Sequence, residues 1–193
     1  MIYDITQPLF SCAVFPGDPA PKREVLADME KGDIINLTAF SMCSHNGTHV
    51  DAPAHFIKDG KTIDQLDLSV FVGDCYVARR EGDVTAEDAR RILDIATPMG
   101  ASERILIAGK AVVTEAAARV FSDAGIKLLG NESQTVGPED APMQVHLILL
   151  GAEVVLLEGV VLSRVPEGKY YLSAAPLNLN GCEGAPCRAV LIS

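Results

Sequence analysis

The sequence predicts an α/β domain in which a mixed sheet, or a closed barrel-like core, carries helices on its outside. Short runs of β-branched and aliphatic residues outnumber the helical segments. The two clear helical segments fall between such runs, so the order is mixed. No internal repeat, low-complexity tract or linker divides the 193 residues, and residues 1–193 therefore read as one domain.

The elements follow in order. Met1 to Asp18 reads as a short strand and then a turn at Pro16-Gly17-Asp18. Ile34 to Ser44 reads as a strand leading into a histidine-rich segment, and Asp59-Gly60 as a turn. Val72 to Ala78 and Arg104 to Ala108 carry the β-branched and aliphatic residues of buried strands. Thr85 precedes a helical run through Leu93, and Asp88 stands where a capping box places an acid. Thr114 opens a second helix, Glu115 to Ala124, which Gly125 stops. Ile126 to Leu129, Val145 to Leu150 and Val154 to Leu157 read as strands, and Arg188 to Ile192 as the last one.

Composition narrows the classes of function. A formal charge of −10 with no basic cluster argues against nucleic acid or an anionic membrane surface as partner, and leaves a small-molecule substrate as the expected one. The apolar runs are far too short to span a bilayer, and Met1 to Thr6 shows no secretory pattern. Five cysteines without a CxxC pair fit reduced thiols and hence a cytoplasmic location.

The chemistry concentrates in one string, His45-Asn46-Gly47-Thr48-His49-Val50-Asp51-Ala52-Pro53-Ala54-His55. His45, His49, Asp51 and His55 share one parity, so an extended chain would turn them to one face. Such a set is costly to bury unless a metal ion or a hydrogen-bond network satisfies it. At ~3.3 Å per residue, His45 and His49 lie ~13 Å apart in a straight strand, and both rings can meet one ion only if the chain curls. Gly47 permits that curl, and Pro53 fixes a second bend. His146 and Glu158 are each a polar residue within a run expected to be an apolar strand, and a carboxylate so placed needs a partner. Glu153 is better explained by a turn after Gly151-Ala152.

The string His45-x-Gly47-Thr48-His49-x-Asp51-x-Pro53-x-His55 resembles the HxGTHxDxPxH signature of the cyclase-like metal-dependent hydrolases, a family that includes bacterial kynurenine formamidases and isatin hydrolases. The likeness extends over nearly the whole chain. Phe15-Pro16-Gly17-Asp18 resembles the family's aromatic-PGD turn, and Thr114 to Gly130 its helix and following strand. Gly181-Cys182-Glu183-Gly184-Ala185-Pro186-Cys187-Arg188-Ala189-Val190 is similar to its GxxGxPxRAV ending, and the spacing of twelve from His146 to Glu158 also matches. The resemblance implies a swivelling β/β/α fold, assembled as a homodimer or homotetramer, with a two-metal site. His45, His49 and Asp51 would hold one ion and His146 the second, with Asp51 and Glu158 bridging or shared. His55 would be the catalytic acid/base, and Phe15 would contact substrate. The sequence departs in two places: it has no tryptophan, so Phe15 stands where the formamidases usually carry one, and the segment from Asn131 to Val136 replaces an acidic stretch.

Imidazole and carboxylate ligands suit zinc or manganese, with iron possible, at one or two ions per chain. Such an ion makes hydroxide available near neutral pH, and a histidine can carry the proton to the leaving atom. The reaction expected is hydrolysis of an amide, formamide, lactam or related carbonyl compound. The alternatives are a metal-dependent lyase or dehydratase on the same scaffold, and a non-catalytic metal-binding protein, which would have no use for a spare acid/base at His55.

Overall fold

A computed structural model describes the whole chain, Met1 to Ser193. In chain order the strands are β1 (Ile2–Asp4), β2 (Lys22–Ala27), β3 (Leu37–Ser41), β4 (His49–Asp51), β5 (Val72–Arg79), β6 (Gly82–Val84) and β7 (Arg104–Ala108). They continue with β8 (Ala111–Val113), β9 (Leu128–Asn131), β10 (Val155–Glu158), β11 (Gly168–Ser173), β12 (Gly184–Pro186) and β13 (Val190–Ile192). The helices are α1 (Ala86–Ala96), α2 (Glu115–Asp123) and α3 (Met143–Gly151). Nine strands form one curled half-barrel in the order β1-β13-β11-β5-β7-β9-β10-β4-β12. The expected mixed α/β class is the observed one.

The middle strands β5, β7, β9 and β10 are parallel, which requires a crossover between each pair. The three helices supply those crossovers. Alternation along the strands separates two apolar cores. Cys75, Val77, Leu106, Ala108, Leu128, Val155 and Leu157 face the inside of the curl. Tyr76, Ala78, Ile105, Ile107, Leu129 and Leu156 face the helices and meet Ile92, Phe121, Val145 and Leu149. Burial on both faces is why these strands read as continuous apolar runs rather than alternating ones.

The helix starts follow their caps. Thr85 and Asp88 form a reciprocal capping box, with Thr85 N donating to Asp88 Oδ2 at 3.0 Å and Asp88 N to Thr85 Oγ1 at 3.2 Å. The Thr114 hydroxyl accepts from Ala117 N at 3.2 Å. Both helices start where the sequence places them. None of the helices is long and apolar enough to cross a membrane.

One expectation fails. Val145 to Leu150 is not a strand but the body of α3. A short apolar run has no period to distinguish a buried strand from a buried helix. Here Val145, His146, Leu149 and Leu150 are buried, the spacing of one helical stripe, while Leu147 reaches solvent. The strand expected over Ile34 to Ser44 is shorter, β3, and pairs only with β2 in a separate two-stranded hairpin. Strands β11 and β12 join the main sheet where the sequence reading has none. The turn at Glu153 is present, with φ at +60°.

This packing makes the core more demanding than the caps. Phe121→Ala, which empties a fully buried ring site between α2 and the sheet, should destabilise the protein by about 3–5 kcal/mol. Thr85→Ala should cost about 1 kcal/mol. Urea unfolding of both variants checks the order, and equal losses would contradict it.

Candidate active site

Strand β4 lies between β10 and β12, with His49 opposite both Glu158 and Pro186, and Asp51 opposite Leu156 and Gly184. Val50 and Leu157 point into the inner core. Strand alternation therefore turns His49, Asp51 and Glu158 to the other face, where α3 lies. Helix α3 brings His146 over them. His45 reaches the same place from a turn, because the chain curls at Gly47 with φ at +66°. The His45 and His49 rings come to 5.1 Å between centroids instead of the separation a straight strand would impose. The curl is held by Thr48, whose hydroxyl donates to Gly159 O at 2.7 Å and accepts from Gln7 N at 2.9 Å. It is also close-packed: a Cβ at Gly47 would fall 2.9 Å from Cys12 Cβ.

Asp51 is the centre of the arrangement. Its Oδ1 lies 2.8 Å from His45 Nδ1 and 3.4 Å from His49 Nε2. Its Oδ2 lies 3.7 Å from His146 Nε2. Glu158 Oε1 lies 3.3 Å from His146 Nε2 and accepts from Val136 N at 2.8 Å, while Oε2 lies 3.6 Å from His49 Nε2. Asp51 and Glu158 are only 1% and 2% exposed, and their ion-pair partners are all histidines, none of them lysine or arginine. Two sets of ligand atoms, one from His45, His49 and Asp51 and one from Asp51, His146 and Glu158, each fall within 4.8 Å of one another. Each set could hold a metal ion, and the buried negative charge fits a divalent cation.

The electrostatics follow from this crowding. Burial pulls the His45 imidazole down, but the bond and charge of Asp51, and then of Glu183, outweigh it and raise its pKa to about 9. His49 and His146 also rise, as their carboxylate neighbours overcome burial. Burial raises Asp51, yet His45 and His49 more than compensate and hold it well below the usual carboxylate range. Glu158 goes up, through burial and the charge of Asp51 beside it. His55 is different. Burial drives it down to about 4, with the His45 and His146 charges adding to the fall against the pull of Asp51. Its ring stacks on His45 at 4.1 Å and meets Phe56 edge-on at 4.6 Å, so it stands beside the cluster as a neutral imidazole.

These residues line a cavity of about 240 Å³, together with Phe15, Asp18, Phe56, Gln134, Thr135 and Pro142. All six residues singled out in the sequence, and Phe15, therefore converge. A larger open cleft of about 970 Å³, by Arg79, Lys110 and Glu132, has no comparable cluster of ligand atoms. Sequence reasoning misses Glu183, whose Oε1 lies 3.1 Å from His45 Nε2. Its only signal is an acid beside Gly184 in the C-terminal motif, and nothing local announces that β12 pairs with β4.

The model of the putative cyclase family matches residues 3–138. The chain belongs to this family of cyclase-like metal-dependent hydrolases. It is 35% identical to a kynurenine formamidase of Bacillus anthracis, over 97% of this chain and 95% of that one. A kynurenine formamidase of Erythrobacter litoralis is 32% identical, over 98% and 93%. Among solved structures, a potential metal-dependent hydrolase with cyclase activity is 30% identical and superposes with a TM-score of 0.84, over 99% of this chain and 96% of that one. Isatin hydrolase A from Labrenzia aggregata, bound to benzyl benzoate, shares the fold with a TM-score of 0.82 at 22% identity, over 99% and 93%.

In this family member the His45 imidazole, raised to about 9 beside Asp51 and Glu183, holds a proton at neutral pH that an entering cation must displace. Uptake of a divalent ion should therefore release protons, and affinity should rise with pH up to about 9. Calorimetry in buffers of different ionisation enthalpy measures the release, and its absence at pH 7 would contradict this electrostatic picture.

Proposed function

We propose that this cyclase-family enzyme hydrolyses an amide-type bond, in a formamide, anilide, lactam or related carbonyl compound, and that the cluster around Asp51 is its active site. The carrying observation is that one Asp51 oxygen faces the His45 and His49 imidazoles while the other faces His146, which sits beside Glu158. On this reading His45, His49 and Asp51 hold one ion, and Asp51, His146 and Glu158 a second, with zinc favoured by the ligand types and manganese the next choice. Such an ion supplies a Lewis acid and lowers the pKa of water towards ~7.

The chain's own residues do the rest. His49 is fixed by donation from Nδ1 to Gly47 O at 3.0 Å, and His146 by donation from Nδ1 to Pro142 O at 2.9 Å, which leaves each Nε2 for the centre. His55, neutral and unengaged, takes a proton from the attacking water and passes it to the leaving nitrogen. Phe56 and Phe15 exclude water and give a flat substrate an apolar wall. Phenylalanine at position 15 is a smaller stacking surface than tryptophan, and an offset ring pair is worth only ~0.5–1.5 kcal/mol beyond burial. The ring alone therefore changes affinity by less than about tenfold. More weight falls on the segment from Asn131 to Val136, which replaces an acidic stretch that could meet the substrate's amine. On both grounds we expect N-formylkynurenine to be turned over slowly and not to be the best substrate.

Hydrolysis in water enriched in oxygen-18 tests the reaction class. Label should enter the released acid, and a product without label would favour a lyase. A kcat/KM series over formanilides, N-formylkynurenine, lactams and lactones ranks the substrates. Asp51→Ala should lose the most metal of any single ligand variant, by elemental analysis. His55→Ala should keep its metal and lose about 10²–10⁴-fold in turnover. Parental turnover in His55→Ala would make that residue a bystander.

The same reading extends to assembly and location. The first and last strands pair in one sheet, which supports residues 1–193 working as one domain. The β2–β3 hairpin is marginal as an isolated ribbon, yet it exposes Val25, Leu26, Leu37 and Phe40, and its connection carries Ile34 at 92% exposure. A second copy of the chain over this apolar face accounts for it, as a homodimer or as half of a homotetramer. Five unpaired cysteines support a reducing, cytoplasmic setting. Sedimentation should give a mass of at least twice 20.5 kDa, and Ile34→Glu with Phe40→Glu should lower it; a monomeric parent would refute the assembly.

A further inference from the structure

Three of the four histidines around the cavity have one ring nitrogen turned to the Asp51 centre and the other anchored elsewhere. For His49 and His146 the anchor is a neutral backbone carbonyl. For His45 it is a carboxylate, Glu183, at 3.1 Å from Nε2. With the Asp51 reading of the metal site as its basis, we propose that Glu183 is a positioning residue: it orients the His45 ring, holds the hydrogen on Nε2, and so makes Nδ1 a stronger ligand.

The surroundings of Glu183 suit that task. Its Oε1 also accepts from the Ser44 hydroxyl at 2.7 Å, so the carboxylate is tied to the residue preceding His45. Its backbone carbonyl accepts from Ala52 N at 2.8 Å, which fixes it beside the end of β4. The next residue, Gly184, forms a wall behind the ring: a Cβ there would sit 2.5 Å from His45 Cε1. The ring is thus held by Asp51 at one edge, Glu183 at the other and glycine backbone against its side. His49 and His146 sit on a strand and a helix, whereas His45 lies on a turn. It is the ligand whose backbone restrains it least, and the one provided with a charged anchor. A carboxylate that accepts from a ligating imidazole raises the basicity of that imidazole, and loss of such a partner typically lowers metal affinity by about 10–100-fold.

The test is a double-mutant cycle read by metal affinity. Zinc is titrated into metal-stripped protein against a chromophoric chelator, for the parent, Glu183→Ala, His45→Ala and the double variant. Glu183→Ala should weaken the site that includes His45 by about 10–100-fold. Glu183→Gln, which keeps size and an acceptor oxygen but not the charge, should recover part of that loss and serves if the alanine variant folds poorly. In the His45→Ala background, removal of Glu183 should change nothing further. Each metal-free variant should keep the parent's far-ultraviolet circular dichroism and a single cooperative unfolding transition, which separates a ligand effect from a general loss of fold. Unchanged affinity in both Glu183 variants overturns this inference alone. An equal loss with and without His45 also overturns it, since Glu183 would then act on the ion by itself. A parent that takes up no zinc overturns the metal reading and this inference together.

Discussion

Two carboxylates share a closed space without a lysine or arginine to balance them. Asp51 and Glu158 are nearly inaccessible, and the groups that face them are imidazoles. Charge so placed is strongly unfavourable unless something compensates. The His45 imidazole, raised to about 9, does part of it, and a divalent cation would do more, because it brings two charges to the point where the ligand atoms converge. The spread of proton affinities follows from this one constraint: Asp51 driven down, Glu158 driven up, three imidazoles raised and His55 left neutral.

The sheet exists in the form that satisfies the constraint. Parallel strands in the middle give a helix on one face after each crossover, and the last crossover, α3, sets His146 above β10. Antiparallel addition of β4 and then β12 beyond β10 brings His49, Asp51 and the Glu183 segment alongside Glu158. Residues from four separated stretches of chain thereby meet within one cavity. Glu132, in the segment after β9, takes no part in that cavity. It accepts from Gly109 N at 2.7 Å and from Leu162 N at 2.8 Å, and so ties the ends of three strands together.

Much of this was legible in the residues. The histidine string could be read because four ionisable groups at one parity have no apolar explanation, and Gly47 showed how they could converge. Both helix starts were legible because capping is local chemistry, as Thr85 and Asp88 demonstrate. What failed was what depends on distant partners. The apolar neighbours of His146 have no readable period and so suggest a strand, and only the packing of α3 against the sheet decides the matter. Glu183 carries no local signal, because its meaning lies in a strand pairing across more than a hundred residues.

The pairing of β4 also has a consequence for folding fidelity. Val50 points into the apolar inside of the half-barrel, and its two neighbours point away from it. A slip of one residue against β10 or β12 would exchange them, sending an imidazole and a carboxylate into hydrocarbon and leaving a valine in the cavity. The groups that suit this strand to chemistry also make its misregistered forms unstable, so that selection for the site and selection for correct assembly act on the same side chains.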